Sequence, residues 1–210
     1  MKKIKSIENY HDDLNNMIIL KGKVYSSPLM SILFSESNAS VDISDNVNLC
    51  DSEIIIGKGS KLIIGANSVI KGKINIGAFS KVVIGEGLSV TSNLYLRAVE
   101  ATSIFIGNDC LIASDVIIRT NDGHPIYDVK TKERINMSRN VIIHDHVWIG
   151  DQVAILKGVT VHEGSIIAMR SLVTKDVPRC SVVAGVPATV IRDDTTWEHS
   201  QGHYSAKYYD

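Results

Sequence analysis

Aliphatic side chains return every six residues through 141–177, at Ile143, Ile149, Ile155, Val161, Ile167 and Val173. The phase four residues later is restricted too, carrying Val147, Val153, Val159, Ser165, Ser171 and Val177. A period of six fits neither a helix of period about 3.6 nor a lone strand of period two. It suits a short strand plus a corner, wound into a solenoid with an apolar residue per corner facing inward. The pattern predicts an all-β chain, a parallel β-helix built of hexapeptides.

A longer repeat precedes it. IGKGSKLIIGANSVI from Ile56 matches IGAFSKVVIGEGLSV from Ile76 at an offset of 20 residues. Three hexads make a coil of 18, so an offset of 20 predicts two extra residues at one corner. The six-fold phase resumes as Ile106, Ile112 and Ile118 and then breaks. Residues 119–140, RTNDGHPIYDVKTKERINMSRN, are polar and unpatterned. Unstructured insertions of more than about 12–15 residues in compact domains are usually functional, so this segment reads as an active-site loop projecting from one corner. Three regions are expected: an N-terminal segment and cap over 1–40, the β-helix over 41–178 with its inserted loop, and a C-terminal extension over 179–210. Within the first, Ser6 to Met17 reads as a short polar helix. In the last, Trp197, Tyr204, Tyr208 and Tyr209 read as anchors onto the prism or a neighbouring subunit.

Composition narrows the function. The 210 residues carry a net charge of −1, with pI near 6.6 and few Lys/Arg runs, which points away from nucleic acid and anionic membranes. The start, MKKIKSIENYHDDLNNMIIL, lacks the apolar run of a signal peptide, and no later stretch reaches membrane-spanning length. A cytoplasmic protein is expected. Cys50, Cys110 and Cys180 are widely spaced with no CxxC, which fits reduced, structural thiols better than disulfides or a zinc site.

The motifs IGNDCLIASDVII, DGHPIYD, VIIHDHVWIGDQVAILKGVTV, SLVTKDVP and VVAGVPATVIR carry a family resemblance from about Ile54 to Arg192. The chain resembles the hexapeptide-repeat acyltransferases, and NDGHPIYD with ERIN and HVWIG looks most like the O-acetyltransferases of capsular polysaccharides, including polysialic acid. The resemblance implies a left-handed winding, an exception to the right-handed crossover rule. It also implies acetyl-CoA as co-substrate, no metal, a saccharide acceptor, and a homotrimer with active sites between subunits.

Moving an acetyl group from a thioester to a sugar hydroxyl needs a base, and a neutral imidazole suits the task. His124, in the one long polar loop and at the His of the family's GHP motif, is the expected base. Glu133, at the distance the resembling capsule enzymes show, is the expected orienting partner; Asp122 is a weaker candidate. Trp148 lies outside the inward phase, and the resemblance places it in the active-site groove, where its indole N–H faces the reacting carbonyl. Asn93 falls in register with an active-site Asn of the galactoside enzymes, whose nearby Asp is Ala101 here, with Glu100 beside it. Arg119 and Tyr127 flank the loop and suit an acidic or extended sugar. For coenzyme A the resemblance implies Asp151, Ala168, Met169, Thr174 and Lys175, with Arg192 on the phosphates. Thr189 stands where the family often has a basic residue, so donor binding is expected to rest on fewer cations, or on the tail.

Rival readings are an N-acetyltransferase of a nucleotide-linked amino sugar, a γ-type carbonic anhydrase, and a non-enzymatic trimeric scaffold. His144 and His146 suggest zinc, but alternating strand positions point in opposite directions and no third ligand has the spacing.

Overall fold

The structure, a computed structural model, describes residues 2–209. Three ladders of parallel strands wrap a single aliphatic core. The first face stacks Ser31–Phe34, Ser52–Ile56, Gly72–Ile76, Leu94–Ala98, Ile117–Arg119, Ala154–Ile155 and Leu172–Val173. The second runs from Met17–Leu20 through Lys61–Ile64, Ser103–Ile106 and Val141–Ile143 to Thr160–Val161. The third carries Ser89–Ser92, Leu111–Ser114, Trp148–Ile149, Ile166–Ile167 and Val182–Gly185, and ends in the antiparallel return strand Ala188–Arg192.

The six-fold rule describes this prism well. Ile143, Ile149, Ile155, Val161, Ile167 and Val173 are all buried, and so is the companion phase from Val147 to Val177. Each hexad thus sends two residues inward rather than one. Burying one full-sized aliphatic is worth roughly 1.5–3 kcal/mol, and stacking makes those contributions cooperative. Coil length follows the sequence repeat: Lys61 pairs with Lys81, Lys81 with Ser103, Ile104 with Val141 and Ile142 with Thr160. The wide coils come first, the loop swells one of them, and the tightest follow it. Where coils touch backbone to backbone no side chain fits: a Cβ on Gly65 would lie 2.4 Å from the Gly85 carbonyl.

Most corners turn through a left-handed residue, often Asn, Asp or Gly. One corner stacks Asn46, Asn67, Gly87, Asp109, His146, Gly164 and Cys180, all at positive φ, and short polar side chains tolerate that conformation best. His146 and Cys180 depart from this preference.

The amino terminus differs from the expected helix. Tyr10–His11 pairs antiparallel with Met17–Leu20, and Lys2–Ile4 with Ser31–Phe34. Asp12 turns the chain there by accepting from the Leu14 and Asn16 amides, with Asn15 at φ 60°. A local Asx-type turn outcompetes a helix that has no apolar stripe. Ile4, Ile7 and Tyr10 pack on the core as a lid, and the parallel winding already begins at Met17.

Candidate active site

The loop 119–140 leaves the end of the first face and returns to the start of the second. It is fastened by its own polar groups. Asn136, only 7% exposed, donates to Asp122 and to the His124 carbonyl, while its Oδ1 accepts from the Ile126 amide and Arg134 Nε. Asp122 also pairs with Lys157, which holds its carboxyl below the usual range. Arg134 and Ser138 clasp Glu100, and Arg134 foremost lowers that carboxyl too. Backbone bonds between Asp128 and Glu133 and between Ile126 and Ile135 close the tip.

His124 rides exposed on this frame. Within one chain the Glu133 side chain makes no hydrogen bond to it; only the Glu133 backbone is engaged, by Asp128 and Thr131. Tyr127 is exposed and bridges Arg134 through the backbone. Arg119 ends the strand that feeds the loop. Asn93 turns the corner into the neighbouring strand at φ 51° and donates to Asp115, so it has a structural duty in the corner ladder. It also borders an open cleft of about 470 Å³ with Glu53, Lys73 and Tyr95.

A separate group of predicted residues meets on the third face. Trp148, 42% exposed, lines a groove of about 370 Å³ with Ala113, Gly150, Asp151, Ile166, Ala168 and Met169. The Asp151 carboxylate caps the corner by accepting from the Ser114 amide. Trp148, Ile166, Val182 and Arg192 stand in register across successive strands. Strand spacing puts the Arg192 backbone about 14 Å from that of Trp148. Lys175 lines a smaller hollow of about 210 Å³ with Val183, Ala188 and Thr189, and Thr174 is exposed beside it. Trp148, Asp151, Ala168 and Met169 therefore line the third face, Thr174 and Lys175 follow a strand of the first face, and His124 rides on the loop between the first and second faces.

The tail borders the groove, a feature the sequence pattern does not carry. It descends one corner rung by rung: the Thr195 amide donates to the Cys180 carbonyl, the Trp197 indole to the His146 carbonyl, and His199 meets Asp109 at 2.7 Å. Trp197 is 6% exposed, stacks on His146 with ring centroids 4.1 Å apart and lies 6.4 Å from Trp148. Tyr208 stacks on His146 as well, whereas Tyr204 and Tyr209 are exposed and pack on each other. Of the two histidines that suggest zinc, His144 lies outside, stacked on His162, while His146 is buried with its ring nitrogens held by Asp109 and the Trp197 carbonyl. Burial pushes the Asp109 carboxyl up, but hydrogen bonds from His146 and His199 outweigh it, and the net direction is down. Burial raises the Cys110 thiol to about 12, which leaves it inert at neutral pH.

Comparison with known proteins closes the identification. The family described as bacterial transferase hexapeptide (six repeats) matches residues 140–175. A polysialic acid O-acetyltransferase of Escherichia coli O1:K1 / APEC is 40% identical over 134 residues, 64% of this chain but only 43% of that protein. The chain thus spans less than half of that relative's length. The crystal structure of the polySia-specific acetyltransferase NeuO superposes with a TM-score of 0.85 at 36% identity, covering 90% of this chain and 80% of that one. A galactoside acetyltransferase in complex with coenzyme A gives a TM-score of 0.52 at 28% identity, covering 67% and 74%. The winding, the loop histidine and these matches agree: the chain belongs to the hexapeptide-repeat acyltransferase superfamily.

Proposed function

We propose that the protein is an acetyl-CoA-dependent O-acetyltransferase acting on a hydroxyl of a cell-surface polysaccharide, such as an acidic capsule, or of its precursor. The divided site carries this reading: an exposed histidine on a fastened loop, and an exposed tryptophan heading a groove, with Arg192 in register three strands on. Acetyl-CoA fits the groove, since Gly150 and Ala168 leave room along it and Arg192 lies in register with Trp148. Lys175 and Arg192 would meet the phosphates, and Asp151, Ala168, Met169 and Thr174 would flank the arm.

His124 takes the proton of the acceptor hydroxyl as its oxygen attacks the thioester carbonyl. The Trp148 indole N–H faces the carbonyl oxygen as charge builds there. The carbon–sulfur bond breaks, and His124 returns its proton to the departing thiolate. A second copy would bring the two halves together, which supports a homotrimer with sites between subunits as the working unit. Glu133 orients His124 in that assembly, and Asn93, Arg119 and Tyr127 receive the sugar. An acetyl-CoA donor fits a reaction in the cytoplasm.

Mass spectrometry of acetyl transfer to acidic and neutral oligosaccharides and to a nucleotide-linked amino sugar tests the reading. A hydroxyl should be acetylated. His124→Ala should lower turnover about 10²–10⁴-fold with the oligomer intact. Faster transfer to the free amine, or none to any hydroxyl, would reject O-acetylation.

A further inference from the structure

The outer side of the first face holds two arginines that nothing neutralises. Arg97 and Arg119 are direct partners on adjacent parallel strands, about 4.8 Å apart, and like charges so placed repel. Nε of each is buried without a hydrogen-bond partner. Among the described residues neither guanidinium belongs to an ion pair. Arg97 Nη1 reaches only the Tyr95 hydroxyl, at 3.4 Å. Two acids in the segments that follow these arginines are already occupied: Glu100 by Arg134 and Ser138, and Asp122, close enough to feel the Arg119 charge, by Lys157 and Asn136. Asn121 Oδ1, two residues past Arg119, is also buried without a donor. Among the described residues, three of the five orphaned buried side-chain polar atoms thus fall on Arg97, Arg119 and Asn121.

These groups adjoin the loop. A Cβ on Gly123 would lie 3.3 Å from Arg119 Nη2, which sets that guanidinium against the residue preceding His124. Buried donors left unpaired are costly, and neighbouring guanidinium groups are suited to gripping a carboxylate through several N–H groups. We infer that Arg97 acts with Arg119 as a carboxylate receptor for the acceptor, so that Arg97 sets the preference for an acidic sugar next to the base. The identity of the ligand as acceptor rests on the acetyl-transfer reading; the anion site itself does not.

Binding separates the two. Calorimetry would compare oligosialic acid with its methyl-esterified form on the full chain, on Arg97→Met and on Arg97→Lys. Wild type should prefer the acid, Arg97→Met should weaken acid binding roughly tenfold or more, and the ester should bind both proteins alike. Arg97→Lys, charged but not planar, should fall between. Melting of Arg97→Met should be unchanged or raised, because a repulsion is relieved, whereas a purely structural arginine would lower it. Equal losses for acid and ester, no loss, or no acid binding by wild type would overturn the receptor. Arg97-dependent binding without acetyl transfer would keep the receptor and reject the enzymatic reading instead.

Discussion

The loop at 119–140 and the tail after Arg192 both depart from the repeat, and both are laid on corners of the same prism, yet they are attached by different physics. The loop is held by polar groups, chiefly Asn136, Asp122–Lys157 and Arg134–Glu100, with His124 left free at its surface. The tail is held by a buried aromatic stack on His146 and seals the corner next to Trp148. Partly exposed ion pairs contribute little each, whereas a buried aromatic contributes much. A regular solenoid thus presents reactive groups on a polar appendage and shields its groove with an apolar one.

The largest effect should come from the tail. Trp197→Ala removes the buried ring of the stack, and truncating a buried tryptophan costs about 3–5 kcal/mol. Limited proteolysis should then cut beyond residue 192 first, and the groove should lose coenzyme A affinity as Trp148 loses its neighbour. Trp197→Phe should retain most of the protection. If Trp197→Ala leaves both proteolysis and donor binding as in wild type, the tail is not an anchor.

The contrast also explains what could be read from the chain. Inward phases such as Ile143 to Val173 are legible because stacking demands the same side chain at the same place in every coil. The loop is legible as an interruption, and His124 as the histidine within it. Asn136 is missed because its value lies in four polar contacts, three of them across 10–14 residues, that no periodicity encodes, although ERIN lies in the motif that carries the resemblance. The His146 clasp is missed for a related reason: His146 meets Trp197 across 51 residues, and a histidine in the left-handed corner position is a departure from Asn, Asp or Gly that only the tail accounts for. The first strands are hidden by their varied coil lengths, and the turn at Asp12 by its helix-like polar composition.

A middle-sized effect sharpens the other side of the comparison. Asn136→Ala leaves the Ile126 amide without its 2.6 Å acceptor and frees the His124 carbonyl. An orphaned buried group costs about 1–3 kcal/mol, here spread over the loop rather than the prism. Global melting should barely move, while kcat falls with little change in the KM for acetyl-CoA. A fall in melting as large as that of Trp197→Ala would show that the loop bears structural load as the tail does.

Acid should produce the smallest effect and still order the two segments. Both lean on carboxyls held below their usual range: Glu100 and Asp122 in the loop's attachments, Asp109 and Glu163 under the tail. A depressed carboxyl stabilises fully above the unfolded value near pH 4, and that contribution drains as pH falls through the lowered folded value. Solvent screening keeps each of these partly exposed pairs under about 1 kcal/mol. The tail still has Trp197 and Tyr208 stacked on His146 when its carboxyls protonate, and the loop has no such reserve. Peptic digestion followed from pH 5 down to pH 2 should therefore show cleavage inside 119–140 rising before cleavage in the tail. The reverse order would mean that charge, not the aromatic stack, is what fastens the tail to its corner.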